Sequence, residues 1–187
     1  MPETYLCPWS HARHVYRLRV ARRLAALAGI AAPVSFVAAW AVAGSRLRQY
    51  SPVREHISEL ARVGVETRPL MTSGMVAFGV LAPLWSRSLE GRARTTVLVA
   101  GLGSLGVAAA PLGASWGDSP HVAAAGITYV AMAASPVVAG NPAVGAASGA
   151  LLLASLPDSP VTGLLQRAGL GVVDAWFVVR ALKQLRG

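Results

Sequence analysis

The chain has 187 residues, of which 54% are apolar and 13% charged, about half the charged share of an ordinary soluble domain. Seventeen Lys and Arg against eight Asp and Glu leave a net charge of +9; the basic residues flank long apolar runs, so the balance points to a membrane protein and away from a nucleic-acid binder. The lone cysteine, Cys7, excludes an internal disulfide, and composition excludes the collagen-like and disordered classes.

Residues 1–23 read as a basic cytoplasmic juxtamembrane arm, whose HARHVYRLRVARR stretch suits an anionic membrane surface. Leu24 to Ala43 carries no charge and has the length, about 20 residues, that crosses a hydrocarbon core. Its end, Ala41-Val42-Ala43, has the small-x-small pattern of a signal cleavage site. The run nevertheless exceeds the roughly 7 to 15 residues of a signal's apolar segment, so an uncleaved anchor is expected. Further apolar runs cover Leu70 to Leu89, Thr95 to Ser115, His121 to about Ala139, Pro142 to Leu156 and Val161 to about Leu182. The fifth is short, and Asn141-Pro142 reads as its N-cap and first-turn pair. Residues 24–187 therefore read as a single all-α domain, a polytopic membrane bundle of about six transmembrane helices.

Counting Lys and Arg in alternate segments sets the orientation. With the N-terminus inside, the cytoplasmic side holds Arg13, Arg17, Arg19, Arg22, Arg23, Arg87, Arg92, Arg94, Arg180, Lys183 and Arg186. The outer side holds Arg46, Arg48, Arg54, Arg62 and Arg68, accompanied by Glu55, Glu59 and Glu66. Both termini are thus expected in the cytoplasm, with Trp40 and Trp116 near the outer interface and Trp85 near the inner one. Gly145 and Gly149 form a small-xxx-small pair suited to helix packing, and Pro33, Pro83, Pro111 and Pro136 lie where they can bend helices.

Two lookalikes are set aside. Gly101, Gly103 and Gly106 match G-x-G-x-x-G, but Pro111 would interrupt the helix that should follow, and no alternating strands and helices surround the motif. Helix packing is the preferred use. Cys7, His11 and His14 supply three potential zinc ligands where four are needed, so no metal and no cofactor are expected.

The outer loop contains QYSPVREHISELARVG. Ser51 suits an N-cap, Pro52 a first turn and Gly64 a stop, which predicts a short amphipathic helix of about three turns. Val53, Ile57, Leu60 and Ala61 share one face; Glu55, Ser58, Glu59 and Arg62 share the other, with His56 on the flank. That face either meets water or turns toward a pocket between helices.

A first span followed by Tyr50-Ser51-Pro52-Val53-Arg54 and then Ile57-Ser58-Glu59-Leu60 resembles the bacterial and archaeal membrane family known as domain of unknown function 998. The likeness runs from about Leu24 to Val179 and takes in Asp118 and His121. Members commonly follow the Ile-Ser-Glu-Leu box with Gly-Ala, where this chain has Ala61-Arg62. The resemblance implies a bacterial cytoplasmic (inner) membrane location and assigns no reaction. A fainter likeness, to eukaryotic families with a Pro-x-Ile-Ser box that include autophagy modulators and a glycolipid-anchor remodelling factor, hints toward lipids.

Asp118 and His121 lie three residues apart before an apolar run, with Asp118 or Ser119 suited to capping. His121 would sit one turn inside the interface, available for proton transfer, a headgroup or a carbonyl. Asp158 reads as a turn residue. In the last run Arg167 and Asp174, seven residues apart, share a face; Arg167 can reach outward, whereas Asp174 is an intramembrane charge that needs a partner or a role.

These residues predict an outer-leaflet polar pocket of Glu55, Ser58, Glu59, Asp118, His121 and Arg167 that binds a membrane lipid or other amphiphile. The alternatives are an intramembrane lipid-modifying enzyme, with Glu59 or His121 as base and Ser58 as nucleophile, and a structural protein subunit or homo-oligomer.

Overall fold

A computed structural model describes residues 8–186. Six α-helices follow one another: α1 (Pro8–Arg46), α2 (Arg68–Ser86), α3 (Gly91–Ala109), α4 (Ser119–Val138), α5 (Pro142–Ala154) and α6 (Thr162–Arg186). A single 3₁₀ turn, Ile57–Ala61, lies between α1 and α2, and no strand occurs among the described residues. The chain is an all-helical bundle, as composition requires. The Cys7 end of the basic arm lies outside the described residues. From Pro8 onward the arm is helical and continuous with the first apolar run.

Three helices are long and apolar enough to cross a membrane: Arg19–Arg46 within α1, α2 and α4. The other three fall short of that standard for visible reasons. Arg92 and Arg94 open α3, Arg167 and Asp174 interrupt α6, and α5 has 13 residues, about 20 Å against a core of about 30 Å. Asn141 precedes α5 as expected, but its side chain does not cap; Nδ2 donates to the Ala139 carbonyl at 3.1 Å.

Consecutive helices pack side by side, and α6 returns to α1, so the six close into a ring with α4 also touching α6. Small residues permit the close approach. A Cβ on Gly101 would fall 2.3 Å from the Pro83 ring, and one on Gly103 would fall 2.4 Å from the Thr128 hydroxyl. The G-x-G-x-x-G motif is therefore a packing surface inside α3. Gly145 serves α5 similarly, lying against Val137 and the Ala133 carbonyl of α4.

Large side chains fill the half of the ring near the α6 C-terminus. Phe177 stacks on Phe78 with centroids 6.0 Å apart, meets Trp85 tilted at 4.8 Å, and takes Trp176 edge-on at 5.6 Å. Trp85 is fully buried and donates through Nε1 to Gln184 Oε1 at 2.7 Å. Its expected place in an interfacial belt is thus corrected: the indole stays in the core because Gln184 satisfies its one polar atom there. Trp116 is 64% exposed.

Candidate functional site

At the opposite end of the ring, the loop from Leu47 to Thr67 is fastened onto α6. Arg167 Nη1 donates to the carbonyls of Pro52 (2.7 Å), Glu55 (2.9 Å) and Gly163 (2.9 Å). Its Nη2 donates to the Tyr50 hydroxyl, and the guanidinium lies 5.3 Å from the Trp40 ring and 5.4 Å from the Tyr50 ring. Nearby, the Leu164 N–H in the first turn of α6 donates to the Val53 carbonyl at 3.0 Å, and the Ile57 N–H donates to Gln166 Oε1 at 2.7 Å. Gly163 is obligatory here, since a Cβ would sit 2.2 Å from the Glu55 carbonyl.

These bonds correct the expected three-turn amphipathic helix. In such a helix the Pro52, Val53 and Glu55 carbonyls would accept from His56, Ile57 and Glu59. Each of these carbonyls is bonded instead to α6, and only the short 3₁₀ turn forms. Ile57, Leu60 and Ala61 are buried as their pattern predicts, whereas Val53 is exposed. Ser51 caps nothing; its N–H donates to the Glu55 carboxylate at 2.9 Å.

The six residues expected in one pocket separate into three environments. Arg167 and Glu55 belong to the clamp just described. Glu59 accepts a bidentate pair from Arg62, at 2.6 Å from Nε and 2.9 Å from Nη2, which keeps the guanidinium above its ordinary pKa. That pair stands over the turn between α3 and α4, where the Val63 N–H donates to the Leu112 carbonyl at 2.9 Å. In the same turn, Asp118 accepts from the Gly113 N–H at 2.7 Å and so ties the turn rather than capping α4. His121 is buried beneath, with Nδ1 2.8 Å from the Ala110 carbonyl. A carbonyl only accepts, so Nδ1 carries a proton, and Nε2 has no hydrogen-bond partner. Glu59, Arg62, Asp118 and His121 thus form one cluster whose charges reach the imidazole.

Ser58 occupies the third environment. It lines a small cavity in the middle of the ring, of about 40 Å³, walled mainly by Phe36, Met75, Phe78, Val107, Met132 and Leu170. Its polar groups are Ser58, Ser104, Thr128, Tyr129 and Gln166, and no charged side chain lines it. The Ser104 and Thr128 hydroxyls donate to helix carbonyls, at 2.9 Å to Met75 and 2.8 Å to Ala124. Gln166 Nε2 donates to the Tyr129 hydroxyl, whose own proton remains free.

Reading by charge alone missed Gln166, Tyr129, Ser104 and Thr128. One signal was present: an amide near the start of an apolar run needs partners as surely as a charge does. Ser58 makes no hydrogen bond to His56 or His121; His56 Nε2 is engaged at 3.2 Å with the Ser155 carbonyl. Among the described residues no three His, Cys, Asp or Glu side chains converge as metal ligands. Asp158 is exposed in the turn before α6.

No curated protein and no solved structure matches the chain significantly. Residues 30–183, from the first apolar run to the end of α6, match the family described as a protein of unknown function, DUF998. That match covers most of the ring of helices, the fastened loop and the central cavity, and the chain belongs to this family.

Proposed function

We propose that the protein binds a neutral amphiphile by its small polar head in the central cavity of the ring, with the fastened loop as its roof. The carrying observation is the lining: apolar walls from five helices, with hydroxyl and amide groups among them and no charge. Such a site favours a hydroxyl or carbonyl head over a phosphate, because a buried anion would find no cation there. Tyr129 offers a proton and Ser58 offers both a donor and an acceptor, while the acyl or ring portion lies against Phe36, Phe78 and Leu170. We place the loop end at the outer face of a bacterial inner membrane and the arginine-rich end in the cytoplasm, with all six helices crossing together.

The test is mass spectrometry of small molecules that co-purify in mild detergent. Wild type is expected to retain a stoichiometric uncharged amphiphile, and Ser58→Leu and Ala125→Phe, which fill the cavity, to lose it. Glu59→Gln and His121→Ala are expected to keep it. An empty wild type, or equal retention in the filled variants, rejects the reading. A chemically altered molecule after incubation would move the assignment to an intramembrane enzyme.

A further inference from the structure

A second recess lies outside the ring, between α1 and α6, with a volume of about 490 Å³. Val34 and Ala38 of α1 and Gly171 and Ala175 of α6 are exposed along its rim, so it opens sideways, where acyl chains surround a membrane protein. Asp174 is the only charged side chain in its lining. The residue is 5% exposed, and neither carboxyl oxygen has a hydrogen-bond partner. Arg167, two turns away on the same face, turns its guanidinium to the loop carbonyls. No other cation among the described residues compensates the carboxyl.

A lone ionised carboxylate among apolar groups is unfavourable unless something pairs with it, and acids buried in apolar helices face a partner or a pathway. The partner's chemistry follows from the surroundings: a positive charge for Asp174 and apolar surface for Val34, Ala38 and Ala175. Its size follows from the recess, whose lining covers about 10 Å of each helix, a third of the length over which a passing transmembrane helix would make contact. Trp40 also lines the recess and is held in place by Arg167 at 5.3 Å.

We propose that the α1–α6 recess is a binding site for a compact lipophilic cation that enters from the membrane and pairs with Asp174. The site is independent of the central cavity, so either assignment can fail alone.

Tetraphenylphosphonium is the probe, titrated by equilibrium dialysis against the detergent-purified full chain, with tetraphenylborate as its shape-matched anion. Wild type is expected to bind the cation saturably and stoichiometrically. Asp174→Asn, which keeps shape and removes charge, and Ala175→Leu, which fills the rim and leaves Asp174 intact, should each bind about tenfold more weakly or worse. Ser58→Leu should bind as wild type does. Equal binding by wild type and Asp174→Asn, or competition by tetraphenylborate, overturns the proposal. So does a wild type that binds no cation but holds a stoichiometric protein lost in Asp174→Asn, which would give the recess to a basic residue of a partner helix.

Discussion

Tyr50 shows how a loop residue acquires a structural duty. Its ring lies 5.4 Å from the Arg167 guanidinium, its hydroxyl accepts from that side chain, and the hydroxyl donates to the His56 carbonyl at 3.1 Å. Burial pushes the Tyr50 pKa up from its ordinary value of 10.0, and the Arg167 charge offsets only part of that rise. The folded chain therefore favours the neutral phenol. Its contribution to stability is complete below the unfolded pKa of about 10 and is lost as pH rises through the higher folded value. Thermal unfolding measured from about pH 8 to about pH 12 should show stability falling at the alkaline end, with a shallower slope in Tyr50→Phe. An unchanged slope in that variant would remove Tyr50 as the source. At this scale the sequence singled out Arg167 and Asp174 as charges within an apolar run, and a charge in such a run needs a partner. Their partners were not visible. Arg167 satisfies itself on backbone carbonyls 112 and 115 positions away in the chain.

The loop between α1 and α2 shows the same limit for a whole element. Its apolar spacing was read correctly for Ile57, Leu60 and Ala61, all buried, and the predicted helix was nevertheless replaced by a 3₁₀ turn. Local pattern decides which face is apolar. It does not decide which donor wins a carbonyl when a guanidinium, Gln166 and the open N-terminus of α6 compete for the same backbone groups. Removing the strongest competitor should release the loop. Arg167→Met is expected to cost about 3 kcal/mol, since it leaves loop carbonyls unpaired. Arg167→Lys should recover less than half of that, because an ammonium cannot span several carbonyls as a planar fork does. The readouts are thermal denaturation in detergent and trypsin cleavage at Arg48 and Arg54. Cleavage no faster than in wild type would show that the clamp is not what holds the loop.

For the molecule as a whole, the two ends of the ring differ in charge. Arg17, Arg19, Arg22, Arg23, Arg87, Arg92, Arg94, Arg180, Lys183 and Arg186 gather at one end with Glu90, while the loop end mixes six arginines, Arg167 included, with Glu55, Glu59, Glu66, Asp118 and Asp158. With Cys7 replaced by Ser, a cysteine introduced at Arg54 should react with an impermeant maleimide from outside intact cells. One at Arg186 should react only after the membrane is opened, and the reverse pattern would invert the proposed topology. Composition and run length were enough for the helical class, the helix order and the charge asymmetry, because the transfer of each side chain into an apolar medium is nearly additive along the chain. The sorting of Glu55, Ser58, Glu59, Asp118, His121 and Arg167 into a clamp, a surface cluster and a cavity was decided only by tertiary packing. Hydrogen-bond partners in a closed ring are chosen by competition among groups far apart in sequence, and that competition leaves no periodic trace in the chain.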